Sequence, residues 1–236
     1  MKLQNETNLG RAHGKWYDDA CGAAFAMELI GERWAILVVR ELMLGGRRFS
    51  DIRASLPGLS AKVLTERLVS LESAGIVKKV QAGPPVSVQI YELTDWGRAI
   101  EPVLQELGRW AVKSRLHDPF LPLTPVAFML SLRTMFDSEL AEGLAMTVVF
   151  EVAENRFVAR LANRALVITR IGAEEIAADL TFRAPTATDY LPVFYGKQPL
   201  ETPGFRLELH GDRDAAESFM ALFRLPAKLG EGGPAD

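Results

Sequence analysis

A chain of 236 residues has room for one large domain or for two of about 100–150 residues, each with its own buried core. With 48% hydrophobic and 24% charged residues it has the composition of a soluble globular protein, and no window approaches the ~18 uncharged apolar residues of a membrane helix, so no membrane partner is expected. The net charge of −3 argues against a nucleic-acid partner unless the basic residues are gathered in one region.

The N-terminal residues MKLQNETNLGRAHGKWYDD lack the apolar core of a secretory signal, and a single Cys21 allows no intrachain disulfide, so a cytoplasmic protein is expected. Residues 1–15 show no hydrophobic period and read as loose chain. DACGAAFAMELIG places Phe25, Leu29 and Ile30 on one helical face and ends in a glycine. ERWAILVVRELM reads as a mostly buried helix stopped by Gly45-Gly46. RRFSDIRASLPG reads as a short helix with Phe49, Ile52 and Leu56 in phase, stopped by Pro57-Gly58. Ser60 can cap AKVLTERLVSLESAG, whose Leu64, Leu68 and Leu71 form an inward stripe and whose Gly75 breaks the helix.

The period then changes from 3.6 to 2. IVKKVQA and VSVQIYELT read as two strands of a hairpin around Gly83-Pro84-Pro85. Thr94 caps a further helix, in which Pro102 should mark a kink or a new first turn. HDPFLPLTP reads as a linker, and VAFMLSLRTMFDSEL as a helix. MTVVFEV, RFVARLA, ALVITRI, AADLTFRA and FRLELHG then read as strands, with turns at Glu154-Asn155 and Asn163-Arg164 and helices over TATDYLPVFYG and DAAESFMALFRL. EGGPAD reads as a loose tail. The expected fold is α+β: a winged helix-turn-helix domain over 1–116, a linker over 117–124, and an α+β domain over 125–236 with a mostly antiparallel five-stranded sheet.

A short helix, a glycine-containing turn and a second helix of two-faced composition is the arrangement that enters a DNA major groove. Opposite the leucine stripe, the second helix shows Lys62, Glu66, Val69 and Ser73, and its reading edge runs from Ser60 through Lys62, Val63, Thr65 and Glu66 to Arg67. Arg47, Arg48 and Arg53 before it, and Lys78 and Lys79 on the following strand, suit backbone phosphates. Nine basic residues against four acidic ones within 33–79 fit the same partner, double-stranded DNA. An ordinary amphipathic surface helix has the same spacing, which alone does not separate the two.

The string from Cys21 to Val80 resembles the HxlR-type winged-helix regulators in its early Cys, its Gly31-x-x-Trp34 opening, its Arg48-Phe49 pair, its Pro57-Gly58-x-Ser60 turn and its Leu64-Thr65-x-Arg67-Leu68 run. Tyr91-Glu-Leu-Thr and Gly97 continue the likeness, which covers roughly 17–113. The resemblance implies a homodimer built through the first and last helices of the module, and two recognition helices on a near-palindromic operator. The segment PPVSVQIYELT is longer than the family's wing and has no arginine, which shifts phosphate contact toward Lys78 and Lys79.

Cys21 falls where several members of that family carry a redox-sensing cysteine, and a helix N-terminus there would favour the thiolate; a small hydrophobe at a dimer-facing helix is the plainer reading. The C-terminal half resembles the sterol-carrier-protein-like fold, in the order of its strands, in DLTFRAP before a helix and in FRLELHGDRDAAESFMALF at its end. That likeness implies a small apolar ligand, with Phe128, Met135, Phe136, Tyr190, Phe194, Phe219 and Phe223 as lining residues or as plain core. His13, His117 and His210 are scattered, and no nucleotide or hydrolase signature is present, so no metal, cofactor or enzyme activity is expected. The alternative function is a lipid carrier whose winged helix makes only protein contacts.

Overall fold

The computed structural model describes residues 17–82, 88–119 and 121–230. The N-terminal segment 1–15, the Gly83-Pro84-Pro85 turn with the tip of the wing, and the tail 231–236 lie outside the described residues. Two compact units make up the chain: Met1–Leu42 with Gly46–Arg98, and Met43–Gly45 with Ala99–Asp236.

In the N-terminal unit four helices precede a two-stranded ribbon: α1 (Gly22–Ile30), α2 (Ala35–Leu42), α3 (Phe49–Ser55), α4 (Ala61–Ser73), β1 (Val77–Ala82) and β2 (Val88–Leu93), then a single turn of helix, α5 (Asp95–Arg98). Val38, Val39, Ile52, Leu64, Leu68, Leu71, Val77 and Leu93 are almost wholly buried and form its core. The punctuation read from the sequence is in place. Ser60 Oγ accepts the Val63 N–H at 3.2 Å at the start of α4, and Gly75 takes φ +73° just beyond its end. Thr94 Oγ1 accepts the Gly97 N–H at 3.0 Å and donates to Gly75 O at 2.7 Å, which ties α5 back to the end of α4. Gly97 is there because of space: a Cβ on it would fall 2.1 Å from Ile76 O.

The second unit opens with α6 (Glu101–Ala111), where Pro102 stands in the first turn, and α7 (Pro125–Met135), capped by Thr124. Arg133 pairs with Glu101 at 2.9 Å and Arg109 donates to Thr134 O at 2.7 Å, so α6 is fastened to α7. The units therefore divide between Arg98 and Ala99, ahead of the proline-rich 117–124 stretch read as a linker.

Strands β3 (Met146–Val152), β4 (Asn155–Ala162), β5 (Ala165–Ile171), β6 (Leu180–Ala184) and β7 (Glu208–Gly211) form one sheet in the order β5-β4-β3-β6-β7. Five strands were expected, but the sheet is mixed, with antiparallel β5-β4, β4-β3 and β6-β7 pairs and a parallel β3-β6 pair at its centre. The connection from β5 to β6 is the reason. It brings Asp179 back to the start of β3, where its N–H reaches Thr147 O at 2.9 Å and its carboxylate accepts the Thr147 N–H at 2.7 Å, so β6 sets off alongside β3 in the same direction. Between β4 and β5, Asn163 and Arg164 take φ +51° and +59°, the two positive values of a tight hairpin turn.

Phe150, Phe157 and Phe182 share one sheet face by register, and α7, α8 (Leu191–Phe194) and α9 (Arg213–Ala221) bring Phe128, Phe194 and Phe219 onto it. The rings meet one another directly: Phe128 and Tyr190 at 4.8 Å, Phe150 and Phe182 at 5.7 Å, Phe219 and Phe223 at 5.1 Å between centroids. Lys197 closes the helical layer, its ammonium donating to the carbonyls of Phe194, Met220 and Phe223 at 2.6–2.8 Å. Phe150 stands at the centre of this cluster, and Phe150→Ala is expected to cost about 4 kcal/mol in chemical denaturation of the full chain. Val167→Ala, on a side chain 54% exposed at the sheet edge, should stay within about 0.5 kcal/mol.

Candidate nucleic-acid interface

Helix α4 has two chemically distinct sides. Leu64, Leu68 and Leu71 are 1% exposed or less and seat it in the unit. Residues 62, 65, 66, 69 and 73 recur at helical spacing on the opposite arc, and Lys62, Thr65, Glu66, Val69 and Ser73 are all exposed. The stripe offers a cation, a hydroxyl, a carboxylate and a branched apolar group within three turns. Ser60 is exposed with its oxygen committed to the cap, Thr65 Oγ1 donates to Ala61 O at 2.9 Å, and Val63 is half-buried at the margin. A helix seated on one side and chemically varied on the other, behind a short helix and a tight turn, can present donors, acceptors and methyl groups to base edges.

The basic residues fall into two groups. Lys62, Arg48 and Arg53 are exposed and have no ion pair among the described residues. The others are engaged. Arg47, read from the sequence as a phosphate contact, is only 11% exposed and bonds the Glu41 carboxylate at 2.7 Å, while Arg40 holds the other oxygen at 3.0 Å. Its backbone exchanges both hydrogen bonds with Tyr91, at 2.9 and 2.8 Å, joining the start of α3 to the wing. Arg67 is largely covered and pairs with Glu32 at 3.3 Å. On the wing, Lys79 meets Glu72 at 2.7 Å and lies over the Tyr91 ring, and Lys78 meets Glu92 at 3.6 Å. The hydrogen bond that Lys79 donates to Glu72 raises the Lys79 pKa above its ordinary value. Both lysines remain exposed, so these surface pairs are weak and can exchange for phosphate.

Glu41 is the residue that pattern reading passes over. Its side chain is fully buried, and the signal for it is a charge inside the apolar run AILVVREL, which demands a buried partner. Trp34, quoted above only as part of the family likeness, has a φ of +78° that is rare for a bulky residue, and its indole lies within contact distance of where a Cβ on Gly58 would lie, in the turn before α4.

Cys21 is exposed at the N-terminus of α1, beside the Ala24 and Ala23 N–H groups. Neither makes a well-aligned hydrogen bond to the sulfur, but their proximity lowers the thiol pKa from its ordinary value. Phe25 and Met27 of α1 are exposed, as are Val103, Leu107 and Trp110 of α6, at i, i+4 and i+7. Of the apolar residues singled out in the C-terminal half, Phe128, Met135, Tyr190, Phe194, Phe219 and Phe223 are buried against other side chains and Phe136 is half-buried. Tyr190 donates to Glu151 O and Phe182 O at 2.8 and 3.1 Å, as a core tyrosine does.

The model of the HxlR-like helix-turn-helix family matches residues 29–118. An uncharacterized HTH-type transcriptional regulator of Bacillus subtilis, YvaP, is 45% identical over 89 residues, which are 37% of this chain and 82% of the relative. The HTH-type transcriptional regulator YodB of the same organism is 44% identical over 87 residues, 36% of this chain and 77% of the relative. Among solved structures, the redox regulator HypR in its oxidized form is similar at 30% identity over 40% of this chain and 98% of that one, with a TM-score of 0.37.

The two groups of basic residues should separate in stability measurements. Arg47→Ala removes one guanidinium from the buried Glu41 carboxylate and is expected to cost on the order of 3 kcal/mol. Lys62→Ala should leave the denaturation midpoint within the equivalent of about 0.5 kcal/mol.

Proposed function

The chain belongs to the HxlR-like helix-turn-helix family of DNA-binding transcriptional regulators, and from that premise we propose that it acts in the cytoplasm as a homodimer on a near-palindromic operator. The observation that carries this reading is the exposed stripe of α4 above its buried leucines, together with Arg48 at the start of α3 and Arg53 on it, both exposed and without an ion pair among the described residues. In the proposed complex, Ser60, Lys62, Val63, Thr65 and Glu66 face base edges. Arg48, Arg53, Lys78 and Lys79 meet phosphates, and Arg47 and Arg67 hold the module together from behind.

The proposed dimer contact is the apolar stripe of α6. Val103, Leu107 and Trp110 are 52%, 42% and 74% exposed, more apolar surface than one solvent-facing helix keeps without a partner. Two half-sites about one helical turn apart would then be read together. We also propose that Cys21 makes the regulator sensitive to thiol oxidation, supported by its exposure and its lowered pKa. The C-terminal unit is proposed to be sterol-carrier-like, with an apolar effector entering among the rings at the cost of ring–ring contacts.

Selection of genomic fragments by the purified chain should return a palindromic site whose affinity falls steeply with salt. Lys62→Ala should weaken that site by about tenfold at unchanged stability. Failure to enrich any site would remove the operator from the proposal. Leu107→Asp should give a monomer by sedimentation velocity and lower operator affinity by about a hundredfold, through loss of the second half-site.

A further inference from the structure

Among the described residues, no structural task accounts for Glu66. It lies in the middle of the exposed arc of α4, its side chain is 49% exposed, and its contact with Arg67 is at 3.8 Å, whereas Arg67 lies closer to Glu32, at 3.3 Å. On a face turned toward DNA a carboxylate is unfavourable, because phosphates line both walls of the groove. Such a group is tolerated where it accepts a hydrogen bond from a base. A carboxylate only accepts, and the bases differ in what they place beside their donors. In the major groove guanine shows two acceptors and thymine one, and adenine sets its N7 acceptor next to its amino group. Cytosine alone presents a donor with no acceptor.

We infer that Glu66 makes each half-site depend on one cytosine, held through its exocyclic amino group; this rests on the DNA-binding reading above. Lys62, one turn earlier on the same arc, is a donor without an acceptor and selects guanine O6 and N7 by the converse logic. The two residues are ~6 Å apart along the helix, which places their bases about two steps apart. Val69, a further turn on, has only methyl groups to offer and fits a thymine methyl.

The test is selection from random duplexes with the full chain, comparing wild type with Glu66→Ala and Glu66→Gln, followed by binding curves on the selected sites. Wild type should require a cytosine at one position of each half-site and lose about tenfold or more when it is replaced. Glu66→Ala should cut that discrimination to within about threefold while binding random duplex more tightly, since a charge repelling phosphate has gone. Glu66→Gln, whose amide both donates and accepts, should move the preference from cytosine to adenine. The inference is overturned if wild type selects a site and the same base preferences survive in both variants. If wild type selects no site, the DNA-binding reading falls and this one with it.

Discussion

Leu64, Leu68 and Leu71 hold α4 in place, and the chemistry of the N-terminal unit follows from how completely they are buried. A helix can turn only one arc inward. Once three leucines at 1% exposure or less occupy that arc, positions 62, 65, 66, 69 and 73 have no choice but to face out. The seat is a hydrophobic one and carries no information about a ligand; the information lies in the opposite arc, whose residues contribute little to stability. Packing and exposed chemical variety are thus divided between two sides of one helix.

The position of that helix depends on a second constraint, the buried carboxylate of Glu41. A lone charge inside the unit would be very costly, and Arg40 and Arg47 offset it from two sides. Because Arg47 also joins its backbone to Tyr91, the same residue that neutralises Glu41 anchors the wing to the start of α3. The basic residues of this region therefore fall into two groups. Arg40, Arg47 and Arg67 are engaged by carboxylates and keep the module in shape, while Arg48, Arg53 and Lys62 are exposed with no ion pair among the described residues. A count of charges along the chain adds the two groups together and overstates the positive charge that the surface presents.

The C-terminal unit is organised by aromatic packing. Its sheet would be an ordinary meander but for the return of Asp179 to the head of β3, which puts a parallel pair at the centre and aligns Phe150 with Phe182. Three helices then close over those rings, with the Lys197 ammonium gathering carbonyls from α8 and from the end of α9. The interior is dense with rings in mutual contact, so anything admitted there must separate them.

Much of this was legible in the sequence because it is set by local chemistry. The cap at Ser60, the glycine at 75, the cap at Thr94, the new turn at Pro102 and the bounds of β3 and β5 follow from side chains acting within a few residues of themselves. The leucine stripe, and with it the outward set on α4, follows from the 3.6-residue period alone. What the sequence could not decide is which partner a charged or aromatic side chain finds across the fold. Arg47 and Arg48 are adjacent and chemically identical, yet one is locked on Glu41 and the other is exposed, because only the tertiary fold brings a buried carboxylate to one of them. The parallel pairing of β3 and β6 was hidden for the same reason, since strand direction is settled by where the connection returns the chain. The helix-turn-helix was written locally; the division of its charges between buried pairs and exposed surface was made only when distant residues came together.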